Sequence, residues 1–229
     1  STRQRPPSNP AGPVNLAGDP FPGSCSRPRE IDKGNRSAGS PFRILQLERT
    51  MDSITKNLPA SIETDRLVLT TPTLAHVPEM AVLANSEAIY SVLSRLPHPY
   101  AQSDGKFFVE SIARGDSEFA WSILLQDKFI GVLGLHLFAD KPAELGYWLG
   151  EPHWGMGYGS EAASAVVAAA RNAGFVTLSA CALTTNTASL NLLRRIGFSQ
   201  THQGPGPQGT NAGAPTTFMR LDFANGATT

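Results

Sequence analysis

Periodic patterns of apolar residues begin near residue 60 and continue to residue 223, which predicts one folded α/β domain there. Short apolar and β-branched runs predict strands at 66–71, 119–125, 129–138, 144–149, 176–183, 198–202 and 217–223. Apolar residues spaced by three and four positions predict helices at 74–83, 86–96, 106–113, 160–172 and 186–196. This order of elements indicates a single domain with a mixed, mostly antiparallel sheet of six to seven strands, flanked by helices.

Residues 1–50 lack this periodicity and contain eight of the 18 prolines, with seven arginines and one lysine against four acidic residues. Such a segment buries too little apolar surface to offset the entropy of ordering it, so we expect a disordered extension. The functional alternative is a basic tether for an anionic partner. Since Met51 lies where the foldable pattern begins, we expect the domain to fold without this segment. Residues 224–229 are expected to be a flexible tail.

Composition excludes several classes of protein. Lys and Arg number 19, as do Asp and Glu, and this zero net charge argues against a nucleic-acid binder with a broad basic surface. Two cysteines exclude a disulfide scaffold and a Cys-based zinc site, and the histidines show no metal-ligand spacing. No apolar run approaches the ~20 residues of a membrane span. We expect a cytoplasmic protein without metal, nucleic-acid partner or membrane contact, either a monomer or a homodimer.

A glycine-rich turn is the strongest chemical signal in the chain. It reads Trp-Gly-Met-Gly-Tyr-Gly-Ser-Glu over residues 154–161, after a predicted strand and before a predicted helix. Glycines allow close approach of a ligand, and the amides of a helix N-terminus favour an anion such as a pyrophosphate. The alternative is a glycine-rich connection without a ligand. The dinucleotide fingerprint fails because Ser160 replaces its last glycine, and no Gly-Lys-Ser/Thr of a P-loop follows.

The turn resembles the acyl-CoA pyrophosphate loop of the GNAT superfamily of N-acetyltransferases, in the form found in its RimJ/RimL-type branch. Trp154 stands where many members carry Gln or Arg. Further segments resemble the branch in its own order, over roughly residues 60–223: Glu63-Thr-Asp-Arg-Leu-Val-Leu69, Leu96-Pro-His-Pro-Tyr100, Phe129-Ile-Gly-Val-Leu-Gly134, Glu144-Leu-Gly-Tyr-Trp-Leu149, Asn186-Thr-Ala-Ser189 and Arg194-Arg-Ile-Gly-Phe198.

The resemblance implies acetyl-CoA as co-substrate, held where the sheet splays between the strands at 144–149 and 176–183. The pantetheine arm would pair with the backbone of 147–149, and the pyrophosphate would lie on the amides of 155–160. The cofactor-binding residues implied are Tyr147, Trp148, Leu149, Gly155, Met156, Gly157, Tyr158, Gly159, Ser160, Asn186 and Asn191.

Two catalytic residues are predicted. Glu144 begins the central strand and is the first candidate for the base that deprotonates an amine, the alternative being a surface carboxylate at a strand edge. Ser189 is the candidate acid for the departing CoA sulfur, the alternative being ordinary helix-start chemistry next to an Asn186 cap. Many GNAT members use a tyrosine on the equivalent helix, and none lies in 186–196.

Weaker candidates concern the acceptor. Tyr100 and Phe107 are predicted to line its pocket, with core packing as the alternative. His136, on a strand near the cleft, is a candidate base or substrate ligand, or else a packed side chain.

We therefore expect an enzyme that moves an acetyl group from acetyl-CoA to a primary amine. The resemblance favours a peptide or protein N-terminus as acceptor, with a small-molecule amine or antibiotic as the rival. Two other classes stay open: a non-catalytic acyl-CoA-binding sensor, and a nicotinamide or flavin enzyme.

Overall fold

The computed structural model describes residues 54–207 and 209–223, so the predicted extension 1–50 and tail 224–229 lie outside the described residues. The described strands form one sheet in the order β1-β2-β3-β4-β5-β6-β8-β7. Their bounds are β1 Ser61–Glu63, β2 Leu67–Thr70, β3 Glu118–Leu125, β4 Lys128–His136, β5 Ala143–Leu149, β6 Thr177–Leu183, β7 Ser199–Pro205 and β8 Pro215–Asp222. Neighbouring strands are antiparallel except β5 and β6, which are parallel.

The predicted sheet class is confirmed, and the count is one higher than predicted. The additional strand, β1, has only three residues and pairs with β2 as a hairpin. A run of three residues is too short to show an alternating pattern, so the sequence contained no signal for it.

The helices follow the predicted order. Their bounds are α1 Val77–Leu83, α2 Glu87–Tyr90, α3 Gln102–Phe107, α4 Tyr158–Ala173 and α5 Thr187–Arg195. Short 3-10 turns occupy Leu74–His76, Glu151–His153 and Gly209–Asn211, and a π-helical turn extends α3 over Phe108–Ile112. In the described part of the chain, no helix has the length and apolar character needed to cross a membrane.

Helices cover both faces of the sheet. Apolar residues of α4 and α5, such as Val166 and Leu193, pack on the face that carries Leu133 and Leu145. Met80 of α1 packs with Tyr100 against the opposite face. Because side chains alternate along a strand, Leu145, Tyr147 and Leu149 of β5 lie on the α4–α5 face, and Glu144, Gly146 and Trp148 lie on the α1–α3 face.

The predicted helix at 86–96 is wrong beyond Tyr90. The carbonyls of Leu93 and Ser94 accept hydrogen bonds from the Oγ1 and N of Thr210, at 3.0 and 3.2 Å, instead of extending a helix. This tertiary contact outweighs the weak local preference of a serine-containing segment. The segment after α2 is thereby held against the loop between β7 and β8.

The predicted splay of the central strands is confirmed. β5 and β6 are paired only at Ala143 with Leu178 and at Glu144 with Ser179. Beyond Glu144 the rest of β5 has no strand partner on its β6 side among the described residues. A gap therefore opens in the middle of the sheet, and we call it the β5–β6 gap.

Candidate active site

The glycine-rich turn uses its three glycines in two different ways. Gly155 and Gly157 have φ angles of +73° and +83°, a backbone region that residues with a Cβ adopt only with strain. Gly159 has no such angle and is buried in the first turn of α4. A Cβ there would approach Leu192 of α5 to 3.1 Å and Leu149 of β5 to 3.4 Å. The first two glycines shape the turn, and the third lets α4 pack close to β5 and α5.

Unpartnered amides line the start of α4. The first hydrogen bond of the helix runs from the N–H of Glu161 to the carbonyl of Gly157, at 3.1 Å. In the described part of the chain, no amide of residues 155–160 donates to a backbone carbonyl. Together with the positive end of the helix dipole, these N–H groups form an arrangement suited to a phosphate or pyrophosphate.

An ion pair between Arg66 and Glu161 stabilises the turn, and no pattern in the sequence predicted this pair. Arg66 binds Glu161 through Nε at 2.7 Å and Nη2 at 2.6 Å, and its Nη1 donates to the carbonyl of Met156 at 3.0 Å. The Arg66 guanidinium also lies 4.5 Å from the centre of the Tyr158 ring. Arg66, directly before β2, thus contacts both the glycine-rich turn and the first turn of α4.

The backbone of β5 faces the β5–β6 gap at alternate residues. The N–H of Gly150 donates a hydrogen bond of 2.8 Å to the carbonyl of Ile130. Gly150 and every second residue before it therefore direct their backbone groups towards β4. By the antiparallel alternation, Trp148 directs its backbone groups to β4, whereas Tyr147 and Leu149 direct theirs into the gap. The Trp148 side chain packs against Phe129 on the other face, with ring centroids 5.9 Å apart. Of the three predicted backbone contacts at 147–149, the geometry favours Tyr147 and Leu149.

A hydroxyl pair lies on the α4–α5 face beside the gap. Tyr147 Oη and Ser189 Oγ are 3.0 Å apart. Burial raises the pKa of Tyr147, with the Ser189 hydrogen bond acting in the opposite direction, so the phenol stays protonated at neutral pH. The predicted cap is confirmed, since Asn186 Oδ1 accepts from the N–H of Ser189 at 3.1 Å. Asn191 is exposed and accepts from Arg194 at 3.0 Å.

Two pairs of polar side chains lie on the α1–α3 face at the start of β5. Glu144 Oε1 binds Arg95 Nη2 at 2.9 Å, and His136 Nδ1 binds Glu118 Oε2 at 2.8 Å. Sequence reasoning named Glu144 and His136 but missed their partners. Glu118 lies opposite His136 in the β3–β4 hairpin, whereas Arg95 lies in the segment predicted as a helix.

The two aromatic residues predicted to line the acceptor pocket are placed differently. Tyr100 is only 5% exposed, and its hydroxyl contacts the sulfur of Met80 at 3.3 Å. This placement corresponds to the core-packing alternative. Phe107, at the end of α3, is 44% exposed and has a face open to solvent. Among the described residues, no group of three His, Cys, Asp or Glu side chains is arranged to hold a metal ion.

Comparisons with known proteins agree with this geometry. Residues 66–199 match the family model described as an acetyltransferase (GNAT) domain. A curated Bacillus subtilis protein, described as the uncharacterized N-acetyltransferase YoaA, is 38% identical over 85 residues, which are 35% of this chain and 48% of that protein. The match to this curated relative therefore spans about half of its length.

Solved acetyltransferases share the fold. The microcin self-immunity acetyltransferase MccE, in complex with acetyl-CoA and AMP, has a TM-score of 0.64 and 21% identity over 73% of this chain and 99% of its own. The ribosomal alpha-N-protein acetyltransferase RimL, in complex with coenzyme A, has a TM-score of 0.63 and 19% identity over 72% and 97%. A Salmonella typhimurium acetyl transferase is described as modifying the N-terminal serine of a ribosomal protein. It has a TM-score of 0.61 and 20% identity over 72% of this chain and 98% of its own.

Proposed function

Since this chain belongs to the GNAT family of acetyltransferases, we propose that it transfers the acetyl group of acetyl-CoA to a primary amine. One observation carries the proposal. The β5–β6 gap begins after Glu144, and β5 leads directly to the unpartnered amides of residues 155–160. An extended thioester with a pyrophosphate at its far end matches a gap with an anion site at one end.

The donor site is proposed as follows. The amides of 155–160 bind the pyrophosphate, and the backbone groups of Tyr147 and the N–H of Leu149 pair with the pantetheine arm as an added strand would, the Leu149 carbonyl being bonded to Trp154. Asn186, the N-cap of α5, and Asn191 on α5 flank the arm on its other side. A backbone N–H at the splayed part of β5 stabilises the oxyanion that develops on the thioester carbonyl.

The Tyr147–Ser189 pair supports an acid at the leaving sulfur. Ser189 is the predicted donor, and the Tyr147 hydroxyl bonded to it supplies the tyrosine that sequence reasoning did not find on α5. Both hydroxyls lie on the α4–α5 face of β5, and the side chains of Glu144 and His136 lie on the other. This separation suits a reaction in which the amine reaches the thioester carbon from the α1–α3 face while the sulfur lies near the hydroxyl pair.

For the acceptor, we propose a peptide or protein N-terminus. The solved neighbours include acetyltransferases whose names describe protein N-terminal substrates. The acceptor would approach on the α1–α3 face, where the segment 93–95 and the turn 209–211 are held together. Exposed Phe107 stays a prediction for this side. The base stays a prediction with two candidates, Glu144 and His136.

Two measurements test the proposal. Calorimetry with acetyl-CoA should register binding to the wild-type protein. A panel of N-terminal peptides, amino acids, polyamines and aminoglycosides with acetyl-CoA, followed by free-thiol release, should show amine-dependent turnover. Turnover on small amines alone would replace the peptide acceptor. Binding without turnover on any amine would favour a sensor, and no binding would contradict the donor site.

A further inference from the structure

Three titratable side chains form one row across the sheet. Glu118 of β3 is paired with His136 of β4, and His136 is paired with Glu144 of β5. Directly paired residues of neighbouring strands project to the same face, so all three lie on the α1–α3 face. Glu144 belongs to the last pair that joins β5 to β6. The row therefore crosses the sheet at the closed end of the β5–β6 gap.

Glu118 orients the His136 imidazole. Its Oε2 lies 2.8 Å from Nδ1, and the two side chains are only 13% and 19% exposed. A carboxylate at this distance accepts the hydrogen of Nδ1, which leaves the lone pair of the neutral ring on Nε2. Among the described residues, Nε2 has no hydrogen-bond partner.

Two opposed glycines make room for this pair. Gly134 of β4 faces Gly146 of β5, and neither has a side chain to fill the surface. A Cβ on Gly134 would lie 2.8 Å from Glu118 Oε1, and a Cβ on Gly146 would lie 3.0 Å from His136 Nε2. Gly146 is two residues beyond the last β5–β6 pair, so Nε2 lies over the part of β5 that borders the gap.

Glu144, by comparison, already has a charged partner. Its Oε1 is 2.9 Å from Arg95 Nη2, and the two side chains are 18% and 30% exposed. Taking a proton from an amine would neutralise the Glu144 carboxylate and weaken this charge-assisted hydrogen bond with Arg95. His136 Nε2 loses no such contact, and the imidazolium it forms gains the facing charge of Glu118.

From this geometry we propose that His136 is the catalytic base, with Glu118 as a positioning residue, for the amine acetylation proposed above. An N–H bond of the ammonium breaks, its electron pair stays on nitrogen, and the proton moves to Nε2. The amine then forms a C–N bond with the thioester carbon, and the C–S bond breaks with its electrons on sulfur. The nitrogen loses a second proton as the adduct collapses. Sulfur takes up one proton and the solvent receives the other.

The orientation can be tested without an acceptor. Long-range proton–nitrogen NMR spectra of protein with 15N-labelled histidine, assigned with His136→Gln, report which ring nitrogen carries the hydrogen at alkaline pH. We expect hydrogen on Nδ1 in the wild type and a mixture of both tautomers in Glu118→Ala. Hydrogen on Nε2 in the wild type would overturn the proposal.

Catalysis is tested with the best amine from the panel, through kcat/KM as a function of pH. His136→Gln should lower kcat at least ~100-fold and remove the acidic limb of the profile. Glu118→Gln should move that limb to lower pH, because the imidazolium loses the negative charge that faces it. The neighbouring Glu144–Arg95 ion pair is unchanged in this variant, so it cannot cause the shift. His202→Gln, on β7, is the matched control and should change neither kcat nor the acidic limb of the pH profile.

The failures are distinguishable. Turnover that survives His136→Gln within threefold, or that is lost in Glu144→Gln with an unchanged profile in Glu118→Gln, overturns the histidine assignment and leaves the acetyltransferase intact. Absence of turnover on every amine overturns both the histidine assignment and the proposed acetyltransferase activity.

Discussion

The indole Nε1 of Trp154 donates a hydrogen bond of 2.7 Å to the main-chain carbonyl of Leu149. This contact joins the beginning of the glycine-rich turn to the end of β5, the two parts of the proposed donor site. It also gives Trp154 a structural role in fixing the position of the turn. One of the backbone groups facing the β5–β6 gap is thereby engaged by the protein itself.

Replacing Trp154 with Phe should weaken acetyl-CoA binding about threefold to tenfold, because the aromatic ring remains but one hydrogen bond that fixes the turn is lost. Calorimetry with acetyl-CoA measures the change. Trp121→Phe is a comparison in the core, since its indole donates to Pro59 far from the turn. Unchanged affinity in Trp154→Phe would show that the turn is fixed without this bond.

Gly157→Val should weaken acetyl-CoA binding more than tenfold. A Cβ at this φ of +83° is strained by about 1–2 kcal/mol and points at Arg66 Nη2, 3.4 Å away. Gly155→Val is the matched variant, because its φ of +73° imposes similar strain but no atom lies within 4 Å. Equal affinity losses in the two variants would assign the effect to the backbone alone, and no loss in either would contradict the loop assignment.

Removal of either hydroxyl of the Tyr147–Ser189 pair should lower kcat with little change in acetyl-CoA affinity. We expect about tenfold for Tyr147→Phe and about 100-fold for Ser189→Ala, and no further loss in the double variant, because the two groups act as one unit. Steady-state kinetics with thiol detection measure these values. Ser189→Ala keeps the backbone N–H that Asn186 caps, so α5 should remain folded. Additive losses would indicate two independent roles.

The contribution of Glu161 to stability should depend on pH. Burial alone would raise the pKa of Glu161, but the hydrogen bonds from Thr64 and Arg66 together bring it below its ordinary value. A carboxylate with a lowered folded-state pKa stabilises the protein above its unfolded-state pKa of ~4.3, and this contribution disappears as pH falls through the folded value.

Urea unfolding of the wild type and Glu161→Gln at a series of pH values measures this effect. The difference between their free energies of unfolding should be present at pH 7 and shrink towards pH 3. Glu110→Gln, in the exposed pair with Lys106, is the control and should show a smaller difference. A Glu161 difference that is constant over the whole range would contradict the assigned ion pair.

Most features that depend on neighbouring residues were predicted correctly from the sequence. The seven predicted strands, the helix after the glycine turn and the Asn186 cap depend on neighbouring residues, and the structure contains each of them. The contacts of Arg66 with Glu161 and of Arg95 with Glu144 join residues 95 and 49 positions apart. A local sequence pattern contains no information about a contact between residues so far apart. For Arg95, the wrong helix prediction at 86–96 also gave no reason to expect its side chain next to Glu144.

The pairing register of β3 and β4 could not be predicted from the sequence. The sequence alone predicted two apolar strands, at 119–125 and 129–138, joined by a turn over Gln126-Asp127-Lys128. In the structure Leu125 pairs with Lys128, so the tight turn lies at Gln126 and Asp127, and a regular hairpin from that turn would place Glu118 opposite Leu135. A bulge between Ile123 and Leu124 shifts the register by one residue, so Glu118 faces His136 instead. Since a shift of one residue reverses which face a side chain occupies, only the tertiary structure decided that these two groups meet beside the gap.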